Sequence, residues 1–133
     1  ADDEHVLART DAGATAYFHR SAGGSFPAAS FVLPSSFRAR FVPHGDRLAL
    51  VYGRAGEGLA YRVAMPSDRL PGQPIDWSTI PETTVALPEG YEDLYAIYPA
   101  GPPYQTAPSV RVELAIVGAT RQFEVLGVTL TPP

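Results

Sequence analysis

The chain reads as short runs of alternating apolar and polar residues, each closed by Gly, Pro or Asp, with no sustained stretch at helical spacing. A period of two predicts β-strands that bury one face. The runs that satisfy it are His5–Arg9, Thr15–Arg20, Phe37–Val42, Arg47–Tyr52, Leu59–Met65, Thr83–Leu87, Leu94–Tyr98, Ser109–Val117 and Thr120–Leu130. Glu89–Ile97 also fits a short helical turn. The expected fold is all-β, a single domain over residues 1–133. It is expected as an antiparallel β-sandwich or jelly-roll-like arrangement of eight to nine strands with long Pro-rich loops. Residues 1–5, carrying Asp2, Asp3 and Glu4, are expected to form a flexible acidic arm.

Turn chemistry sets the expected registers. With Pro43-His44-Gly45-Asp46 as the connection, Phe41 faces Leu48, Ala39 faces Leu50 and Phe37 faces Tyr52. The Gly-rich stretch 53–58 then sets Tyr52 opposite Leu59, Leu50 opposite Tyr61 and Leu48 opposite Val63. All the large apolar residues of these three strands would share one face, a register that resists slipping. The other face would carry Arg38, Arg40, Arg47 and Arg62. Four guanidinium groups together would suit a carboxylate-rich or phosphate-bearing partner through paired hydrogen bonds. In the first hairpin, a turn at Ala12-Gly13 sets Val6 against His19 and Leu7 against Phe18, with His19 outward. In the last, a two-residue turn at Gly118-Ala119 sets Leu114 against Phe123, Val112 against Val125, and Glu113 against Glu124. That pairing requires a bulge at Leu126-Gly127.

Composition narrows the function classes. All ten basic residues are Arg, and Lys, Asn and Cys are absent. Positive charge therefore comes only as a planar, permanently ionised fork. The missing Asn and Cys also fit a heat-tolerant protein. Without Cys there is neither a disulfide nor a thiolate metal site. The net charge of -4 argues against nucleic-acid binding through the whole surface. No apolar run approaches the roughly 20 residues of a membrane-spanning helix, so no membrane insertion is expected. Only 18% of residues are charged, which predicts a neutral surface suited to contact.

Candidate chemistry is sparse. Between Pro66 and Pro108 many prolines punctuate a region holding Trp77, Tyr91, Tyr95, Tyr98 and Tyr104. Stiff loops present aromatic rings at low entropic cost, which suits a protein interface or a platform for stacking sugars. His5, His19 and His44 show no metal-ligand spacing, and no Gly-x-Ser-x-Gly elbow is present. No catalytic residue, metal or cofactor is expected. These features lead to a non-catalytic structural or interaction module of an extracellular or virion assembly. A capsid-decoration or tail-type component, or a surface accessory protein, would fit, with a protein partner or self-association and a place outside the cell or on a virion surface. The alternative is a monomeric carbohydrate-binding module that uses Trp77 and the loop Tyr side chains.

Overall fold

The computed structural model describes residues 3–54, 58–87, 91–99, 110–118 and 122–131. The alternating runs become β1 (Glu4–Arg9), β2 (Thr15–Arg20), β3 (Phe31–Leu33), β4 (Ser36–His44), β5 (Arg47–Arg54), β6 (Gly58–Ala64), β7 (Thr83–Val85), β8 (Tyr91–Pro99), β9 (Val110–Gly118) and β10 (Phe123–Leu130). The protein is all-β, in three antiparallel sheets ordered β1-β2-β3, β4-β5-β6-β7 and β10-β9-β8. Among the described residues each sheet is a meander of consecutive strands, without the crossover that defines a Greek key. Residues Glu89–Ile97 supply most of β8 rather than a helical turn, their described part starting at Tyr91.

The four-stranded sheet is buried on both faces. On one, Val42, Ala49, Val51, Leu59, Tyr61 and Val63 pack against Leu94, Ile97, Val112, Leu114, Ile116 and Leu130 of the last sheet. On the other, Leu48, Leu50, Tyr52, Ala60 and Ala64 pack against Tyr17 and Leu33 of the first sheet. Ile75, Trp77 and Ile80, from the segment between β6 and β7, complete that second core. The composition of β5 explains the arrangement. Leu48 to Tyr52 offers no polar position to turn toward water, as in strands covered on both sides. Each fully buried side chain of this size contributes roughly 1.5–3 kcal/mol.

That two-sided burial also corrects the expected registers. β4 and β5 meet across Gly45-Asp46 alone, so Phe41 pairs with Leu50 rather than Leu48. A slip of two keeps Arg40 to His44 on their expected faces, whereas Phe37, beyond the irregularity, pairs with Gly53 and turns to the opposite face from Phe41. Between β5 and β6 the slip is one: Leu50 pairs with Arg62, and Val51 with Tyr61. Leu59, Tyr61 and Val63 therefore lie on the face opposite Leu48, Leu50 and Tyr52. An irregularity between Phe37 and Arg40 interrupts β4, and Arg38 within it has a φ of 55°. In the first hairpin His5 pairs with His19 and Leu7 with Tyr17, which turns His19 inward instead of outward. In the last hairpin Leu126 pairs with Leu114 and Val128 with Val112 in one unbroken ladder. The bulge at Leu126-Gly127 does not form, Glu124 faces Ile116, Glu113 faces Gly127, and Val125 is 73% exposed. Finally, Glu4 and His5 belong to β1 and Asp3 is bonded to the fold, so residues 3–5 are not a free arm.

Candidate functional site

Segment 66–82 shapes the site. Two short 3-10 turns, Pro66–Asp68 and Trp77–Thr79, fold it back across the second core. The Asp68 carboxylate accepts the Met65 N–H at 2.8 Å, and Asp76 accepts the Ser78 N–H at 3.2 Å. These local bonds satisfy turn donors and aim Trp77 inward. Its indole stacks on Phe41 at 5.9 Å and meets Tyr17 edge-on at 6.1 Å. Trp77 is fully buried, so neither ring face is open to a ligand.

Beneath Trp77 lies a polar network that pins the segment to the sheet. Arg62 Nη1 donates to the carbonyls of Trp77 at 2.9 Å and Ile80 at 2.8 Å, and its Nε donates to the Tyr52 hydroxyl at 3.2 Å. Glu82 accepts from the Tyr52 hydroxyl and from Arg54 Nη1, the latter at 2.8 Å, and lies 3.5 Å from Arg62 Nη2. Burial, and then the hydrogen bond to Glu82, push the Tyr52 phenol up to about 12. It remains a neutral donor.

The four arginines predicted to share a face do not. Arg62 pairs with Leu50 and sits on the Trp77 side of the sheet. Arg40 pairs with Val51 on the other side, donating Nη1 to the Ile97 carbonyl at 3.0 Å with its guanidinium 5.7 Å from the Tyr98 ring centre. Arg47 pairs with His44 at the turn, and Arg38 occupies the irregularity in β4. Among the predicted aromatic residues, Tyr98 is 49% exposed and Trp77 is enclosed. Tyr91 and Tyr95 lie on β8, their side chains outside the described residues, as is the whole of Tyr104.

Two surfaces that the sequence pattern did not single out remain. The first is the outward face of β1-β2-β3. Leu7, Tyr17, Phe31 and Leu33 point to the core, so the alternate positions point away. There Val6 is 40% and Val32 49% exposed, beside exposed Ala8 and half-buried Phe18. The signal was present as two apolar parities in Val6-Leu7-Ala8 and Ala16-Tyr17-Phe18. At one end Arg20 forms a two-pronged bond to Glu4, at 2.7 and 2.8 Å, and lies 4.6 Å over the ring of Phe26.

The second is a cleft of about 410 Å³ where the start of β1 meets the β4–β5 turn and segment 66–75. Its polar lining is Asp3, His5, Asp46, Arg69 and Gln73. Leu70, Pro71 and Ile75 supply apolar wall. Asp3 accepts from Gly72 N–H at 3.0 Å through one oxygen and bonds His19 Nε2 at 3.1 Å through the other. The Gly72 N–H first, and then His19, hold its carboxyl below the usual range. His5 Nδ1 lies 2.8 Å from the Tyr17 hydroxyl, which itself accepts the Ile75 N–H at 3.0 Å. Burial, with His19 and Arg69 nearby, pushes the His5 imidazole down and keeps it neutral. Arg69 makes one long bond, 3.5 Å, to the Asp46 carbonyl.

These parts define an all-β protein of three meander sheets with an uncovered apolar sheet face and a mixed-polarity cleft. No protein-family model, curated protein or solved structure matches the chain. Among the described residues, no group of three His, Asp or Glu is placed to hold a metal ion, and no helix is long and apolar enough to cross a membrane.

Proposed function

We propose that the protein is a non-catalytic interaction module, built as a layered β-sandwich, that docks a second copy of itself within a larger extracellular or virion-type assembly. The observation that carries this reading is the outward face of β1-β2-β3, where exposed Val6, Ala8 and Val32 and half-buried Phe18 surround buried Ala16. Contiguous apolar surface of this kind on a folded domain marks contact sites. Among the described residues the charges on this face, Glu4 and Arg20, cancel, which favours two copies meeting face to face. Among the described residues the cleft lining holds no Ser, Thr or Cys beside the Asp3–His19 pair. Sugar stacking on Trp77 drops out because both faces of the indole are covered.

Light scattering behind a sizing column, over a range of concentration and salt, tests the proposal. The expected result is a mass that rises with concentration to a dimer or larger, changes little with salt, and returns to monomer in V6E/V32E with circular dichroism unchanged. Monomeric wild-type protein at every concentration would overturn self-association through this face.

A further inference from the structure

We infer that the cleft between β1, the β4–β5 turn and segment 66–75 is a binding site for a neutral saccharide, recognised through vicinal hydroxyls. Its volume of about 410 Å³ falls within the range of about 300–1,000 Å³ found for small-molecule sites. The lining alternates donors and acceptors. The Arg69 guanidinium donates, the Asp46 carboxylate accepts, the Gln73 amide does both, and the neutral His5 ring offers a nitrogen that donates or accepts according to its tautomer. A sugar hydroxyl donates and accepts at once, so adjacent hydroxyls can give their hydrogens to Asp46 while their oxygens receive Arg69. Leu70, Pro71 and Ile75 offer apolar wall for the C–H faces of a ring.

Charge decides against the competing ligands. A free anion would meet both Asp3 and Asp46, with Arg69 as the one formal positive charge in the lining and His5 neutral. A cation would meet Arg69, and Asp3 already has both oxygens engaged by Gly72 and His19. A neutral polyol uses both signs without a net charge to repel. The lining is also set in advance. The Tyr17 hydroxyl holds the His5 ring through Nδ1, and Asp3 ties the cleft wall at Gly72 to β1, so little ordering remains to be done on binding. Among the described residues Arg69 holds only its long bond to the Asp46 carbonyl, and it is available to turn toward a ligand.

The site lies apart from the outward face of β1-β2-β3, so its test is independent of self-association. The experiment is an amide NMR titration of the full chain with D-glucose, D-galactose, D-mannose and N-acetyl-D-glucosamine to high millimolar concentration. Sodium acetate and glycine serve as charged comparators. At least one sugar is expected to shift amides of residues 3–5, 46 and 69–75 in a saturable way. R69A and D46N, both at exposed positions, should each weaken that binding at least tenfold while the rest of the spectrum stays in place. Three results would overturn the inference: no saturable shift in the cleft with any of the four sugars, sugar shifts that survive both substitutions, or acetate or glycine binding the cleft more tightly than every sugar.

Discussion

At the scale of single residues, the fold depends most on polar groups enclosed with a specific partner. His5 is one. Its imidazole is held below its ordinary 6.5 by burial, then by His19 and Arg69, so the folded state favours the neutral form. The stability this contributes is complete above about 6.5 and is lost as the pH falls toward and through the depressed value. Asp3 and Glu4, also held low, begin to matter only at more acidic pH. Thermal melting against pH should therefore show a first fall below about 6.5 that H5Q flattens; an equally steep fall in H5Q would assign it elsewhere. Y17F removes the hydroxyl that bonds His5 Nδ1 and accepts the buried Ile75 N–H. Its expected cost is about 1–3 kcal/mol in urea unfolding. Glu82→Ala leaves Tyr52, Arg54 and Arg62 without their shared acceptor, and the partly buried site places its cost at about 2–4 kcal/mol.

At the scale of elements, sequence reasoning located strands well and paired them poorly, for one physical reason. Alternation and turn residues mark where a strand begins and ends, and β1, β2, β5, β6 and β10 fall close to where the pattern puts them. Register is set by which parity faces the core, and β5 has apolar residues at both parities because both its faces are covered. A slip of one between β5 and β6 then breaks no obvious rule in the sequence. It nevertheless moves Arg62 to the side away from Arg40 and dissolves the expected basic face. Trp77 fails for a related reason. An aromatic residue between prolines reads as displayed, whereas Asp76 caps a short turn that buries it. The cleft depends on His5 pairing with His19, again one residue from the expected register. Two glycines give a test at this scale. Gly58 (φ +90°) would place a Cβ 2.8 Å from the Val85 carbonyl of β7, whereas Gly72 (φ +72°) has open space around it. G72A should cost about 1 kcal/mol and G58A about 2–3 kcal/mol in the same urea assay, because only the latter adds a backbone collision to a left-handed conformation. Equal losses would mean that β7 moves aside freely.

At the scale of the whole molecule, stability concentrates in the middle sheet, which contributes to both cores, while the outer sheets keep one face toward water. Trp77→Ala removes the largest fully buried side chain, beneath which Arg62 holds the segment, and should cost about 3–5 kcal/mol. Val125→Thr, on the open side of β10, should stay within about 0.5 kcal/mol of wild type. An intact Trp77→Ala variant with wild-type stability would show that segment 66–82 is a surface appendage rather than part of the core.

The order of the sheets along the chain has a consequence for the protein as it is made. Each meander closes from neighbouring strands, so pairing can follow the ribosome closely, one hairpin after another. The covers of the middle sheet arrive at different times. The first sheet is finished before β4 emerges, whereas the residues that cover Val42, Ala49, Val51, Leu59, Tyr61 and Val63 run from Leu94 to Leu130. Until those last strands are synthesised, the nascent chain presents one complete oily sheet face to the cytosol or to a chaperone. A stall or truncation between β7 and β8 would leave that face bare, and the product is expected to be recovered in the insoluble fraction.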